Sequence, residues 1–356
     1  MALLAVALSG GVDSSVAALL LKKQWPAMVG ASHFIWPESR CCSAEVFTRA
    51  RMLCERLKIP YYQVDLYPEF KELVVGDFIA TYLKGKTPNP CIICNQRIRF
   101  DLFYYRLEAL LREKKQLSES EQGEPLFFAT GHYVRIVSND DGLFLAKAKY
   151  GAKDQSYMLY RIKKELLQHL VFPLGDYLKD EVNELAAQAG LGYESVEESQ
   201  DACFVDTDYT DFLQRQTGKS ELLKPGEIVD SGGKILGKHR GYLYYTVGQR
   251  RGLGLGDGPW YVQRLDAEKN LVYVAREEEA KIESFRVENL NLFVPDLAER
   301  ASLKVKIRYQ RGEIPCRVQA AGNKLQVILK WPAIVTPGQS AVFYQKDLVL
   351  GGGIIC

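Results

Sequence analysis

Along the first two hundred residues, short apolar runs alternate with stretches whose apolar positions recur every three or four residues. Leu3–Leu8 is a continuous apolar run, as a strand buried on both faces requires. After the heptad Ser9-Gly10-Gly11-Val12-Asp13-Ser14-Ser15, residues Val16, Leu19 and Leu20 repeat at helical spacing. Met28–Trp36 predicts a second strand and Tyr61–Leu66 a third; between them Val46, Ala50, Leu53, Cys54 and Leu57 mark one face of a helix. Thr87-Pro88-Asn89-Pro90 is excluded from a helix interior, because two prolines remove donors and restrict the residues before them, so a loop is expected. Gln96–Arg112 returns to a helical pattern, Gln116–Glu124 predicts an exposed polar loop, and Leu126–Thr130 predicts another buried strand. Val182, Leu185, Ala186 and Ala189 mark a late helix. Repeated strand–helix units predict an α/β fold, a parallel sheet covered by helices.

After about Asp206 the pattern changes. Glycine and aromatic residues become frequent in Gly241–Tyr245 and Gly248–Trp260, and from Phe285 onward short β-rich runs alternate with turns. Those runs, Leu303–Tyr309, Pro315–Ala320, Leu325–Leu329 and Ser340–Tyr344, predict a small β-barrel. A chain of 356 residues exceeds what one hydrophobic core serves, so two or three domains are expected. The net charge of only +2 excludes a basic nucleic-acid coat. From Lys281 to the end, however, eleven lysines and arginines face six acidic residues, which points weakly to a polyanionic partner at that end. Ala2–Leu8 lacks the basic flank of a signal peptide and is too short to span a membrane. The eight cysteines are therefore read as residents of a reducing cytoplasm, where close pairs mean metal or redox chemistry more often than disulfides.

The heptad lies between a buried strand and a helix, at the sheet edge where such folds bind ligands. Its two glycines let the backbone approach an anion closely and expose N–H groups, and the following helix N-terminus adds a favourable dipole. The hydroxyls of Ser9, Ser14 and Ser15 can donate to phosphate oxygens, and Asp13 suits a helix cap or a cation. A Walker loop would carry Lys followed by Ser or Thr after its second glycine, and this one does not. A loop without that lysine suits pyrophosphate as a leaving group better than γ-phosphoryl transfer. A tight turn with a polar cap is the plainer alternative, and the strand–helix setting argues against it. The heptad resembles the signature of the N-type ATP pyrophosphatases, or PP-loop enzymes, which adenylate an oxygen and release pyrophosphate.

Thr87–Asn95 carries Cys91-Ile92-Ile93-Cys94 on a proline-stiffened loop, and Cys203 lies in Asp201-Ala202-Cys203-Phe204-Val205. Cys41, Cys42, Cys54, Cys316 and Cys356 read as small buried hydrophobes. A structural zinc would want a second such pair, which the sequence lacks. Together with Ala129–Tyr133, Lys153–Tyr157, Val247–Gly254, Arg308-Tyr309, Thr336–Ser340 and Gly351–Gly353, in this order, these stretches make the chain resemble the tRNA-specific 2-thiouridylases over most of its length.

That resemblance implies a PP-loop (adenine nucleotide alpha hydrolase-like) domain at 1–205, a small central tRNA-contacting domain at 206–280 and a tRNA-binding C-terminal β-barrel at 281–356. It places ATP, with Mg2+, on Ala7, Leu8, Ser9, Gly10, Gly11, Val12, Asp13, Ser14, His33 and Gly131. It makes Cys94 the catalytic cysteine and Cys203 the carrier of a persulfide. Asn89, Pro90 and Cys91 align with the segment that meets the target base, and His132, Lys153, Asp154, Gln155, Arg308, Tyr309 and Gln339 with tRNA contacts. Standing alone, His132 would be read as a structural histidine, and Lys153 and Arg308 as solvated charges. The implied partners are a tRNA with a wobble uridine and a persulfide-carrying sulfur donor protein, with no membrane. Many members of the family have Asp where this chain has Cys91. Cys91, Cys94 and Cys203 could therefore instead be three ligands of a [4Fe–4S] cluster. Two rival readings are a PP-loop synthetase or amidotransferase acting on a metabolite, and an RNA-binding module that uses ATP only structurally.

Overall fold

A computed structural model of the chain describes residues 2–37, 39, 42–117, 125–191, 202–206, 208–218 and 224–356. Cys41, Asp201 and most of the polar loop expected at 116–124 lie outside the described residues. The chain forms two compact units. The first comprises the residues up to 74, 91–206 and 347–349; the second comprises 75–90, 207–346 and 350–356.

The strands of the first unit are β1 (Leu3–Ala7), β2 (Met28–Phe34), β3 (Tyr61–Asp65), β4 (Leu126–Ala129), β5 (Val134–Asn139), β6 (Gly142–Lys147) and β7 (Leu170–Val171). Five of them form a parallel sheet in the order β3-β2-β1-β4-β7. Every residue of β1 is buried, as expected for a central strand covered on both faces. Two helices follow the first two strands, α1 (Val12–Lys22) and α2 (Ala44–Leu57). The Ser43 hydroxyl caps α2 by accepting from the Val46 N–H at 3.4 Å. On one side of β1, residues Leu4, Val6 and Leu8 bury against Ala18 and Leu21 of α1 and Ala50, Leu53 and Cys54 of α2. Elsewhere, Val16 and Ala17 of α1 share a buried cluster with Tyr133 and with Val182 and Ala186 of the helix Lys179–Gln188. Burial pushes the Cys54 thiol up to about 12, which fits its reading as an inert hydrophobe.

Two features of this unit depart from the sequence expectation. Pro90 opens a helical turn, Pro90–Ile93, so the paired cysteines ride on helix and not on loop. Proline is tolerated there because a first-turn N–H has no intrahelical partner to lose. The antiparallel hairpin β5–β6 was not read from the sequence, and Leu348 pairs with Ala146 on its free side.

In the second unit the helices Gly76–Leu83 and Tyr209–Thr217 meet through aromatic rings. Tyr82 stacks on Tyr209 with centroids 4.8 Å apart, and Phe78 meets Phe212 edge-on. A four-stranded sheet follows, built from β8 (Gly226–Val229), β9 (Ile235–His239), β10 (Tyr261–Asp266) and β11 (Leu271–Ala275) in the order β10-β11-β8-β9. The last strands are β12 (Ile282–Leu292), β13 (Lys304–Lys306), β14 (Ile314–Ala321), β15 (Lys324–Ala333), β16 (Ser340–Gln345) and β17 (Leu348–Ile355). They run in the order β12-β15-β14-β13-β16-β17, and β17 pairs back onto β12 with Val287 opposite Ile355, closing the expected barrel. Closure leaves no free sheet edge in that ring. Among the described residues, no helix is long and apolar enough to cross a membrane.

Candidate active site

The heptad folds as the turn after β1 and the first turn of α1. Gly10 has φ +65°, and a Cβ there would stand 2.8 Å from the carbonyl oxygen of Val46, so only glycine fits. Ser14 Oγ accepts from the Ser9 N–H at 3.1 Å and donates to the Gly11 carbonyl at 3.1 Å. Ser15 Oγ donates to the same carbonyl at 2.9 Å. These two hydroxyls therefore hold the loop in shape. What the loop has to offer an anion is the first N–H groups of α1, which by helix geometry lack an intrahelical acceptor.

Beside this turn lies a cavity of about 160 Å³. Ala7, Leu8, Ser9, Asp13, Ser14, His33 and Gly131 line it, all expected at a nucleotide. His132 and Gln155, expected at tRNA, line it as well. Gly131 follows β4 and has no room for a side chain: a Cβ would fall 2.7 Å from the Ser14 nitrogen and 2.8 Å from the Asp13 carbonyl carbon. Gln155 is fixed in two ways, its N–H donating to the Tyr133 carbonyl and its Oε1 accepting from the Tyr133 N–H, both at 2.9 Å.

Four contributors were not read from the sequence: Thr130, Tyr133, Arg99 and Lys179. The Thr130 hydroxyl lies 2.7 Å from His132 Nδ1. The Tyr133 hydroxyl donates to Asp13 Oδ1 at 2.8 Å, and Lys179 Nζ reaches the same oxygen at 2.6 Å. Arg99 Nη1 donates to Asn95 Oδ1 at 2.7 Å, lies 3.3 Å from His132 Nε2 and lines the cavity. Thr130 and Tyr133 lie within the quoted stretch Ala129–Tyr133 but carried no role of their own, while no local motif marks Arg99 or Lys179.

Burial, and then the Arg99 charge, push His33 down to about 3 and His132 well below the usual imidazole range. Both rings are therefore neutral in the folded chain at pH 7. The unfolded chain takes up these protons below about pH 6.5, so stability should fall as pH drops from there toward about 3. Urea unfolding at pH 7 and pH 5 checks this: His33→Leu should lose less stability than the natural chain over that interval. An identical loss would show that His33 does not carry the effect.

Cys94 begins the helix Cys94–Phe103, which is wound more widely than an α-helix and runs on into Tyr104–Glu113. Wide turns of this kind recur at functional sites. The helix is anchored by buried Ile98, Phe100 and Phe103, and by the Asn95 side chain donating to the Met158 carbonyl at 3.2 Å. Cys94 is half-buried and Cys91 exposed. Cys203 is half-buried on the turn Ala202–Val205, pinned by its neighbour Phe204, whose ring packs edge-on against Trp36 and Phe70. Among the described residues, no three His, Cys, Asp or Glu side chains stand together as a metal ion requires.

The remaining expected tRNA contacts fall into two groups. In the first unit, Lys153 is half-buried, while the Asp154 carboxylate turns inward to accept from the N–H groups of Ala148 and Ser156 and from the Ser156 hydroxyl. In the second unit, Gln339 Nε2 donates to the carbonyls of Thr87 and Pro88 at 3.0 Å each, and the Thr87 N–H donates to the Pro337 carbonyl at 2.9 Å. The barrel thereby clamps the backbone that runs into Asn89 and Pro90. Arg308 donates to the Val247 carbonyl at 2.8 Å and to the Thr336 hydroxyl. Arg308 also borders a cavity of about 670 Å³ with Arg250, Arg311 and the half-exposed Trp331. Cations beside an aromatic face suit a nucleic acid. Lys306 lies over the Tyr309 ring, 5.5 Å from its centroid.

Three family models match the chain in succession. They are a tRNA methyl transferase HUP domain over residues 2–207, a tRNA methyl transferase PRC-barrel domain over 210–276 and an aminomethyltransferase beta-barrel domain over 282–355. Among curated proteins, the tRNA-specific 2-thiouridylase MnmA of Geobacter metallireducens is 42% identical, covering 98% of this chain and 95% of its own. Those of Acetivibrio thermocellus and Carboxydothermus hydrogenoformans are each 40% identical, over 98% of this chain and 98% and 96% of theirs. Among solved structures, the U34-tRNA thiolase NcsA of Methanococcus maripaludis with its [4Fe-4S] cluster is 21% identical over 60% of this chain and 65% of its own, at a TM-score of 0.32, too slight a likeness to bear on the site. The order of the three domains and the full-length similarity agree, and the chain belongs to the tRNA-specific 2-thiouridylase family.

Proposed function

We propose that the chain is an ATP-dependent tRNA-uridine 2-sulfurtransferase, which converts the wobble uridine of tRNA to 2-thiouridine and releases AMP and diphosphate. One observation carries this reading. The cavity beside the lysine-free glycine loop is also lined by Arg99, a residue of the helix that Cys94 begins. Nucleotide chemistry and cysteine chemistry are thus joined through a single element. The matching family models are labelled for methyl transfer, but a loop suited to a pyrophosphate leaving group favours the reaction named for the relatives.

The uridine C2 oxygen is a poor leaving group. Its attack on the α-phosphate of ATP forms an adenylate at C2 and expels pyrophosphate, toward the N–H groups of α1 and with Asp13 holding the accompanying Mg2+. The terminal sulfur of a persulfide on Cys203 then adds at C2. The Cys94 thiolate attacks the Cys203 sulfur, breaking the S–S bond to the transferred atom and forming a Cys94–Cys203 disulfide. AMP leaves with the C2 oxygen, and a thiol reductant resets the two cysteines. A sulfur-carrying protein of the cytoplasm supplies the persulfide.

Residues 1–205 would carry this chemistry, while 206–280 and 281–356 hold the tRNA. Asn89, Pro90 and Cys91 would take the target base, which must leave its stack to react. His132, Lys153, Gln155, Arg308 and Tyr309 would contact the RNA, with Asp154 shaping its loop. Gln339 would act through the Thr87–Pro88 backbone it holds. Gln339→Ala should therefore lower 2-thiouridine formation about tenfold or more, through misplacement of the base, and leave ATP affinity unchanged. Equal activity would place Gln339 outside the reaction.

The central test is nucleoside analysis of tRNA incubated with the protein, ATP and a persulfide donor. 2-Thiouridine should appear in step with AMP. Pyrophosphate exchange into ATP without tRNA, and no modified nucleoside with it, would favour a metabolite synthetase instead.

A further inference from the structure

We propose that Lys179 is the missing lysine of the nucleotide site. On this view it binds the β,γ-pyrophosphate of ATP, exchanging its resting partner Asp13 for phosphate when Mg2+ takes the Asp13 carboxylate. The inference rests on reading the heptad as an ATP site.

The glycine loop has no lysine of its own, and it presents a carboxylate, Asp13, in the first turn of α1. A carboxylate facing a polyanion is repulsive unless a cation stands between them. The structure holds such a cation ready. Lys179 Nζ lies 2.6 Å from Asp13 Oδ1, 166 residues away in sequence, and both side chains stay about a quarter exposed, at 25% and 28%. An ion pair that open adds little stability, so fold maintenance alone is a weak reason for it.

The position of Lys179 argues the same way. It is the first residue of the helix Lys179–Gln188, with Asp180 and Glu181 directly after it. A helix N-terminus favours acidic residues and disfavours a lysine, so Lys179 works against its own helix. Residues that break a local rule in this way concentrate where function demands them. What holds Lys179 in place is core: Val16 and Ala17 of α1 bury with Val182 and Ala186 of its helix and with Tyr133. Tyr133 also donates its hydroxyl to Asp13 Oδ1, so that oxygen keeps one donor when the lysine departs. The two helix N-termini are thereby set side by side, and a short swing of a flexible chain carries the ammonium from carboxylate to phosphate.

Binding of MgATP, magnesium pyrophosphate and AMP to the natural chain, Lys179→Met and Lys179→Arg would test this. Lys179→Met should weaken ATP and pyrophosphate by at least about tenfold, leave AMP within about twofold, and leave the unfolding midpoint unchanged. Lys179→Arg should recover part of the pyrophosphate affinity. Unchanged pyrophosphate affinity in Lys179→Met would overturn the proposal, as would equal weakening of AMP and pyrophosphate, which marks a structural role. If the natural chain itself bound neither ATP nor pyrophosphate, the reading of the site would fail first.

Discussion

Cys203→Ser should cut 2-thiouridine formation by about a thousandfold or more, while ATP binding and tRNA binding stay as they were. The serine hydroxyl cannot carry a persulfide, so the nucleophile is lost and not merely weakened. The side chain sits on a short turn whose fixed point is the neighbouring Phe204 ring, and that ring is untouched by the change. Folding should therefore survive, and equilibrium unfolding would confirm it. Cys94→Ser should be as inactive in turnover but differ in one respect. With Cys203 preloaded as persulfide, a covalent adduct between the protein and the tRNA should accumulate, because the S–S bond to the transferred sulfur is no longer cleaved. Denaturing gels before and after thiol reduction would reveal it. Full thiolation by Cys203→Ser would remove that residue from the mechanism.

Gly131→Ala should lower tRNA-dependent AMP formation by about a hundredfold with little change in tRNA affinity. The added methyl would fall 2.7 Å from the Ser14 nitrogen and 2.8 Å from the Asp13 carbonyl carbon. Both are backbone atoms, so relief must come from moving the strand end and the first turn of α1 apart. That displacement strikes the groups assigned to pyrophosphate. Gly256→Ala is the control, since nothing lies within 4 Å of its added carbon. If AMP formation by Gly131→Ala matched that control, the close approach would have no part in adenylation.

Much of this site could be read from local sequence, for a physical reason. The glycine heptad, the apolar run of β1 and the helical repeat after it are adjacent in the chain, and each satisfies its own period or turn requirement. Cys94 stood out locally only by its spacing from Cys91, and the roles expected of Cys94 and Cys203 came from the family resemblance alone. Lys179 and Arg99 did not stand out, because a lysine at a helix start or an arginine within a helix reads locally as a solvated charge. Only the burial of Val182 and Ala186 against α1 brings Lys179 to Asp13, and only the packing of the helix with buried Ile98 and Phe100 brings Arg99 to the cavity. The hydroxyls of Ser14 and Ser15 were legible as donors but not as donors to Gly11, since that depends on the turn closing on itself. The hairpin β5–β6 escaped for a different reason. Its outer strand ends in Ser138 and Asn139, which mask the alternation that would mark a strand.

Asp347–Val349 belongs to the first unit although the chain on either side belongs to the second. The Lys147 N–H donates to the Asp347 carbonyl at 2.9 Å, and Leu348 pairs with Ala146. During synthesis the first unit therefore waits for its last segment until residues 347–349 have left the ribosome. A chain cut off between residues 206 and 346 keeps every residue assigned to adenylation and sulfur transfer, yet leaves this side of β6 bare, the kind of edge that recruits other chains. Covering that edge is reserved for chains that reach Asp347 and Leu348.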